Sequence, residues 1–381
     1  MKSLNSLFHS VADWIKKAFH KIIKFRFGEN MKSSVYAILA GILFGFILML
    51  VFVPYDAFTG LWIIFTGAFQ NGNESFGNVF MYAAPIIVTG LSVGFAFKTG
   101  LFNIGATGQF TVGSFVAIYI GVEWGFLPGH LHWIVAVLGA ILAGAIWGFI
   151  PGLLKALFNV HEVVATIMLN YIAMYLVNWG VYKTVFDGLS KSKSVLETAI
   201  IPKMGLQWLF PDSSVTGGFF LALLAVIIIY IVLEKTTFGY ELKAVGHNKD
   251  AAKYAGINEK KAIVSSMTIA GALAGLAGAI VYLTGSGTHL VVQNLLLSEG
   301  FDGIAVALLG LSHPVGVLFA GLFLGYIKNS GFYLQTLAFN KEVIDIIIAT
   351  IIYFSALSML FKNGIKLPFL KKGKKAGGEQ K

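Results

Sequence analysis

Apolar runs long enough to cross a lipid bilayer recur about ten times along the chain, near 35–53, 78–97, 101–121, 133–154, 163–182, 217–233, 263–284, 299–311, 315–331 and 343–361. A hydrocarbon core about 30 Å thick takes roughly 20 residues of helix, so the expected fold class is an all-α polytopic membrane protein. Only 12% of the 381 residues are charged and 57% are hydrophobic, against roughly 25% charged in soluble domains. Mean hydropathy is +0.78. The 44 glycines suit helices that pack closely within lipid. The eighth run is short for a full span, which allows a re-entrant or broken helix there.

Basic residues orient the spans. With the N-terminus inside, all but Lys183, Lys191, Lys193, Lys203, Lys328 and Lys341 of the 28 Lys and Arg residues fall in inner segments. Both termini are therefore expected in the cytoplasm. Three parts follow. Residues 1–32 are too long and too basic for a cleavable signal. They carry Leu4, Leu7, Phe8, Val11, Trp14, Ile15, Ala18, Phe19 and Ile22 at helical spacing beside Lys16, Lys17, Lys21 and Lys24. This is the pattern of a helix lying in the membrane interface, or docked on another subunit. Residues 33–361 form the transmembrane domain, with external segments at 54–77 and 183–215; the second is expected to form a small cap. Residues 362–381 form a basic, disordered tail attracted to anionic lipid.

Several chemistries are excluded. Cys is absent, so there is no disulfide, thiolate metal site or cysteine nucleophile. "HEVVA" at His161 lacks the second His of a zinc protease, and no GxxxxGK(S/T) phosphate loop occurs. No metal site and no cofactor are expected in this chain. His130 and His132 read as solvated loop residues. The net charge of +10 sits at the termini and in one inner segment, which argues for membrane lipids and against nucleic acid.

Polar side chains inside spans are costly and face a cavity or another helix. Asn103, Thr107, Thr111 and Ser114 fall on one face of the third span by spacing; Glu162, Thr166 and Asn170 do so on the fifth. Glu299 and Asp302 stand in "SEGFDGIAVALLG". Such stripes line a path for a neutral, hydroxyl-rich solute or join helices by hydrogen bonds, and spacing leaves both readings open. Small-residue pairs Gly41/Gly45, Gly90/Gly94, Gly271/Gly275 and Gly321/Gly325 read as close-packing contacts.

One inner segment, 235–262, is not greasy. "LKAVGHNKDAAKYAGINEKKA" (242–262) holds seven charged residues, Lys243, Lys249, Asp250, Lys253, Glu259, Lys260 and Lys261. Asn248 suits an N-cap and Gly256 a left-handed terminus, with about two helical turns between them. A helix so short is marginal alone. With chiefly Ala251, Ala252, Tyr254 and Ala255 besides its charges, it fits a groove on a soluble protein better than a membrane surface.

"DAAKYAG" resembles the cytoplasmic EAA-x3-G motif of ATP-binding cassette importer permeases, with Asp250 in the Glu position. "FGYELKAVGHNKDAAKYAGIN" resembles its longer form in the branched-chain amino acid and simple-sugar group. "GLFNIGATGQF" (100–110) and "GFDGIAVALLG" (300–310) are similar to two more of that group's signatures, and "HEVVATIMLNYIA" (161–173) is most similar to the nucleoside-transporting branch. The third-span motif often carries an acid where Thr107 stands.

The resemblance, over roughly 35–361, implies a permease subunit of a bacterial nucleoside importer in the cell membrane. It also implies two inverted helical repeats, and an attachment segment for a cytoplasmic ATPase at Asn248, Asp250, Ala251, Ala252 and Gly256. ATP and Mg would belong to that partner. A lipid-anchored substrate-binding protein outside and a second, shorter permease complete the implied assembly. Arg at Ala252 and Gly256 is then expected to abolish coupling with the fold intact. A ribose-type sugar or branched-chain amino acid permease is the alternative substrate reading. An ion-coupled secondary transporter using Glu299 or Asp302 is the rival mechanism, and a polytopic membrane enzyme finds no nucleophile–base pair to support it.

Overall fold

The computed structural model describes residues 27–354 apart from 286, 338, 341, 342, 348, 351 and 352. The amphipathic pattern up to 26 and the basic tail from 362 lie outside the described residues, as does most of the tenth run. Helix α1 (Phe27–Phe52) starts ahead of the apolar run it contains. The chain then reverses into α2 (Ala57–Thr66), which tightens into a 3-10 turn at Gly67–Phe69.

That pair corrects the expectation of an external connector at 54–77. Ala57, Gly60, Ile63 and Ile64 are buried. Asn329 Nδ2 donates to the Gly67 carbonyl at 3.3 Å, Ser330 Oγ lies 3.2 Å from the Ile64 carbonyl, and the Tyr326 hydroxyl donates to the Phe65 carbonyl. Phe58, Trp62, Phe65 and Phe69 stay exposed. The segment is an apolar hairpin seated on a later helix, too short to register as a span.

The main bundle follows: α3 (Asn73–Lys98), α4 (Ala106–Glu123), α5 (Gly129–Phe158), α6 (Glu162–Lys183), a single turn α7 (Leu206–Leu209), α8 (Gly218–Lys235), α9 (Thr237–His247), α10 (Lys249–Tyr254), α11 (Glu259–Tyr282), α12 (Glu299–Leu309) and α13 (Pro314–Leu334). Helices α3, α5, α6, α8, α11 and α13 are long and apolar enough to cross a membrane. Helix α4, 18 residues and so about 27 Å long, stands among them but is polar inside: Thr107, Gln109, Thr111 and Ser114 are all buried. No β-strand occurs among the described residues, only isolated bridges Phe186–Ser192 and Lys191–Val291.

Helices α3 and α11 are the most enclosed of the long helices and pack directly on each other, with α4 lying against α11 and α5. The rest surround this core. Small residues set the closest approaches. A methyl on Gly144 would sit 2.8 Å from the Gly275 Cα, and one on Gly148 2.9 Å from the Gly271 Cα, so α5 and α11 meet backbone to backbone. Likewise Gly325 of α13 leaves room only for Ala83 of α3. The outer faces are aliphatic and aromatic, as with Leu138, Leu142 and Ile146 on α5 and Met168, Ile172, Tyr175 and Trp179 on α6, all exposed.

Within 183–215, the chain lies against the ends of α4 and α11 and is tied there by main-chain bonds: Leu196 N to Gly121 O, Ser192 N to Leu290 O and Ile201 N to Leu283 O, each 2.9 Å. His132 is corrected here. It is fully buried, with Nδ1 2.8 Å from Thr198 Oγ1 and Nε2 2.9 Å from the Ile120 carbonyl, so it pins this segment instead of facing solvent.

Candidate functional site

Helix α11 ends at Tyr282, and among the described residues there is no helix until Glu299. Residues 290–297 border a small cleft with Thr111, Met174, Val177 and Asn178, and Asn178 Nδ2 donates to the Gln293 carbonyl at 2.9 Å. Helix α12 then begins inside the bundle. Gly300 presses on Thr107, and a methyl on Gly303 would be 2.7 Å from the Thr89 Cβ. Thr89 lies nine residues from the Lys98 end of α3, about 14 Å at 1.5 Å per residue. Glu299 starts roughly another turn further in, well inside a core about 30 Å thick. Irregular backbone at that depth is tolerated where protein or a cavity satisfies it.

The first turn of α12 gathers charge. Phe301 and Asp302 N–H groups both turn back to the Ser298 carbonyl, at 2.9 and 3.1 Å. Glu299 and Asp302 complement the positive end of the helix. Asp302 is ion-paired with Lys328 of α13, which corrects the placement of Lys328 in an outer loop: it stands within a span. Glu299 and Asp345 also lie within electrostatic reach of Lys328. The second carboxylate oxygen of Glu299 and the Thr107 hydroxyl are buried without a hydrogen-bond partner among the described residues. An orphaned buried acceptor is costly. Together these groups offer hydrogen bonds to a polar, uncharged guest.

The other residues singled out from the sequence bond either across to a neighbouring element or back to their own helix. Asn103 precedes α4 instead of lying on its face, and it exchanges two amide bonds with Gln109, at 2.9 and 3.2 Å. Thr111 donates to the Thr107 carbonyl at 2.7 Å, and Ser114 to that of Phe110 at 2.8 Å. Asn170 accepts from Gly108 N–H at 2.8 Å and donates to the Ile104 carbonyl at 3.0 Å. Thr166 packs under Gly105 and bonds the Val163 carbonyl at 3.1 Å. Glu162 pairs with Lys155 at 2.8 Å. Of the stripe residues, Thr107 abuts Gly300 in the first turn of α12, and Thr111 borders the cleft just ahead of it.

The charged segment 242–262 has the local form its residues dictate. Asn248 ends α9 and caps α10, its Oδ1 accepting from Ala251 N–H at 3.0 Å. Gly256 adopts φ +83°, where a side chain is strained. Lys249, Asp250, Ala251, Lys253, Tyr254 and Ala255 are exposed, whereas Ala252 is buried in the main core. Arg at Ala252 or Gly256 would therefore disturb the fold, against the expectation above; Ala251, Tyr254 and Ala255 form the presented face. Helix α9 rests on the α3–α4 turn, with a methyl on Gly246 only 2.9 Å from Gly100 N. Thr99 of that turn donates to Ser266 of α11 at 2.8 Å.

A family model described as branched-chain amino acid transport system / permease component matches residues 75–356. The chain belongs to this permease family. The permease is 41% identical over 332 residues to the guanosine ABC transporter permease protein NupP of Bacillus subtilis, covering 87% of this chain and 94% of that one. It is 35% identical to the nucleoside ABC transporter permease protein NupB of Lactococcus lactis, covering 86% and 90%. It is also 26% identical over 281 residues to the guanosine ABC transporter permease protein NupQ of Bacillus subtilis, covering 69% and 83%. The matched region takes in both the interrupted α11–α12 segment and the α9–α10 segment of this multi-pass membrane permease.

Proposed function

We propose that this permease is a subunit of an ATP-binding cassette importer that carries nucleosides across the bacterial cell membrane. The likeness to NupP and NupB over nearly their whole lengths is the observation that carries this reading. The in-membrane start of α12 supports it: unpaired acceptors at Glu299 and Thr107 suit the hydroxyl-rich face of a nucleoside, with Asp302 and Lys328 beside them. In this reading the subunit has ten spans in two inverted repeats and both termini in the cytoplasm. Residues 1–32 lie at the interface, and 362–381 form a basic tail. The cap at 183–215 receives a lipid-anchored binding protein. A separate ATPase docks on the face of α10 and supplies the hydrolysis, switching access from outside to inside. Similarity to NupP and, more distantly, to NupQ of the same organism supports pairing with a shorter paralogue.

Uptake of labelled guanosine and uridine in a deletion strain tests the proposal. Uptake should be lost on deletion, return with the gene and resist excess unlabelled ribose. Unchanged nucleoside uptake, with the gene expressed in the parent, would overturn it.

A further inference from the structure

A second recess lies far from the α12 start, between the last turns of α5 and the first half of α11. It is a lateral groove of about 550 Å³ lined by Phe149, Leu157, Val264 and Ile269, with Asn258, Lys260 and Lys261 at one end. Its polar-looking floor is chemically quiet: Ser265 Oγ donates to the Lys261 carbonyl at 2.7 Å and Thr268 Oγ1 to that of Val264 at 2.8 Å. Both hydroxyls are consumed by their own helix, leaving methyl and methylene surface. At the mouth, Lys260 and Lys261 are exposed and make no ion pair among the described residues. Glu259 is adjacent in sequence, and Asn258 Oδ1 is held by Lys261 N–H at 3.0 Å.

We infer that this groove binds one anionic phospholipid, its acyl chain against Phe149, Val264 and Ile269 and its phosphate at Lys260 and Lys261. Charge and depth together select the occupant. From Lys260 to Ile269 is nine residues, about 14 Å of helix, close to the half-thickness of a bilayer. A groove one leaflet deep, apolar along its length and cationic at its surface end matches a phospholipid; a soluble anion would use only the mouth. The basic end belongs to the side read above as cytoplasmic, where anionic headgroups attract juxtamembrane lysines. The mouth also adjoins Gly256 and the end of α10, so an occupied groove ties the base of the ATPase-facing segment to the membrane.

Native mass spectrometry of the purified full assembly, titrated with phosphatidylglycerol, tests this. Phosphatidylcholine of the same chains and inorganic phosphate serve as the other arms. Phosphatidylglycerol should bind in preference to both. Lys260→Glu with Lys261→Glu should weaken it at least about tenfold, and Thr268→Trp, which fills the groove and spares the charges, should displace it as well. Equal binding of phosphatidylcholine and phosphatidylglycerol overturns the inference. So does retention of phosphatidylglycerol in the Thr268→Trp variant, which would mark surface screening by the lysines alone. The natural chain lacks cysteine, so a single Ser265→Cys reports occupancy. Its crosslinking to a neighbouring subunit in place of lipid protection would also overturn the assignment.

Discussion

The side-chain amide of Asn170 straddles the beginning of α4, taking the N–H of Gly108 on its oxygen and giving its own N–H to the Ile104 carbonyl. Gly108 is in the first turn, where no intrahelical acceptor exists, so a residue 62 positions away caps the helix. Asn170→Leu should lower stability by about 1–3 kcal/mol, read as an earlier thermal transition of the detergent-solubilised protein. Altered solute selectivity with an unchanged transition would instead make Asn170 part of the path.

Removing one partner of the Asp302–Lys328 pair leaves a charge stranded among helices. Asp302→Asn and Lys328→Met should each cost about 3–5 kcal/mol. Their combination should recover much of that loss, because a neutral pair of similar shape has no stranded charge. A double-mutant cycle on thermal stability checks the coupling; additive losses would show that the two side chains act independently.

Glu299 separates binding from stability. Glu299→Gln keeps the shape of the side chain and removes a charged acceptor worth about 1.5–3 kcal/mol. Half-saturation of nucleoside uptake should rise roughly tenfold or more, while basal ATP hydrolysis by the assembly stays unchanged. Unaltered half-saturation would remove Glu299 from the path.

On the presented face of α10, Tyr254→Ala and Ala251→Arg should leave the amount of folded protein unchanged and abolish solute-stimulated ATP hydrolysis. Ala252→Arg should lower expression itself, since that methyl is buried. Size-exclusion profiles beside hydrolysis assays separate the two outcomes.

His313, in the turn ahead of α13, gives a pH signature. Burial lowers its pKa below the ordinary value near 6.5, with Glu234 opposing and Lys98 and Lys243 reinforcing the shift. Below 6.5 the unfolded chain takes up the proton more readily, so stability falls as pH drops from that value toward the folded-state pKa. His313→Asn should flatten that limb of a stability–pH curve measured between pH 5 and 7.

Local signals proved the most legible. Asn248 and Gly256 bracket α10 as their side-chain chemistry requires, and the small-residue pair Gly271/Gly275 meets its counterpart Gly144/Gly148. The six helices long and apolar enough to cross a membrane all fall on expected apolar runs, whereas the ten residues of α2 are too few to stand out by apolar length. The true start of α4 was hidden because 99–105 is as apolar as the helix it precedes. Charge counting alone assigns Lys328 to an outer segment, because its partner lies 26 positions away and no periodicity links the two. The burial of His132 is hidden for the same reason: the groups that enclose it belong to the 183–215 segment and to α4, which meet only in three dimensions. In the candidate site, the spacing of Thr107 was legible, whereas its abutment on Gly300 arises from tertiary packing.

Between α9 and the α3–α4 turn, Gly246 faces Gly100 with neither bearing a side chain. A joint made of two main chains has no rotamers to swivel and no methylenes to compress. Any push delivered through α9 must therefore be passed on as displacement of the turn itself, and from there to the start of α4. Substituting even alanine at Gly246 would act like a shim in a close-fitting hinge, offsetting the α3–α4 turn and the start of α4 behind it.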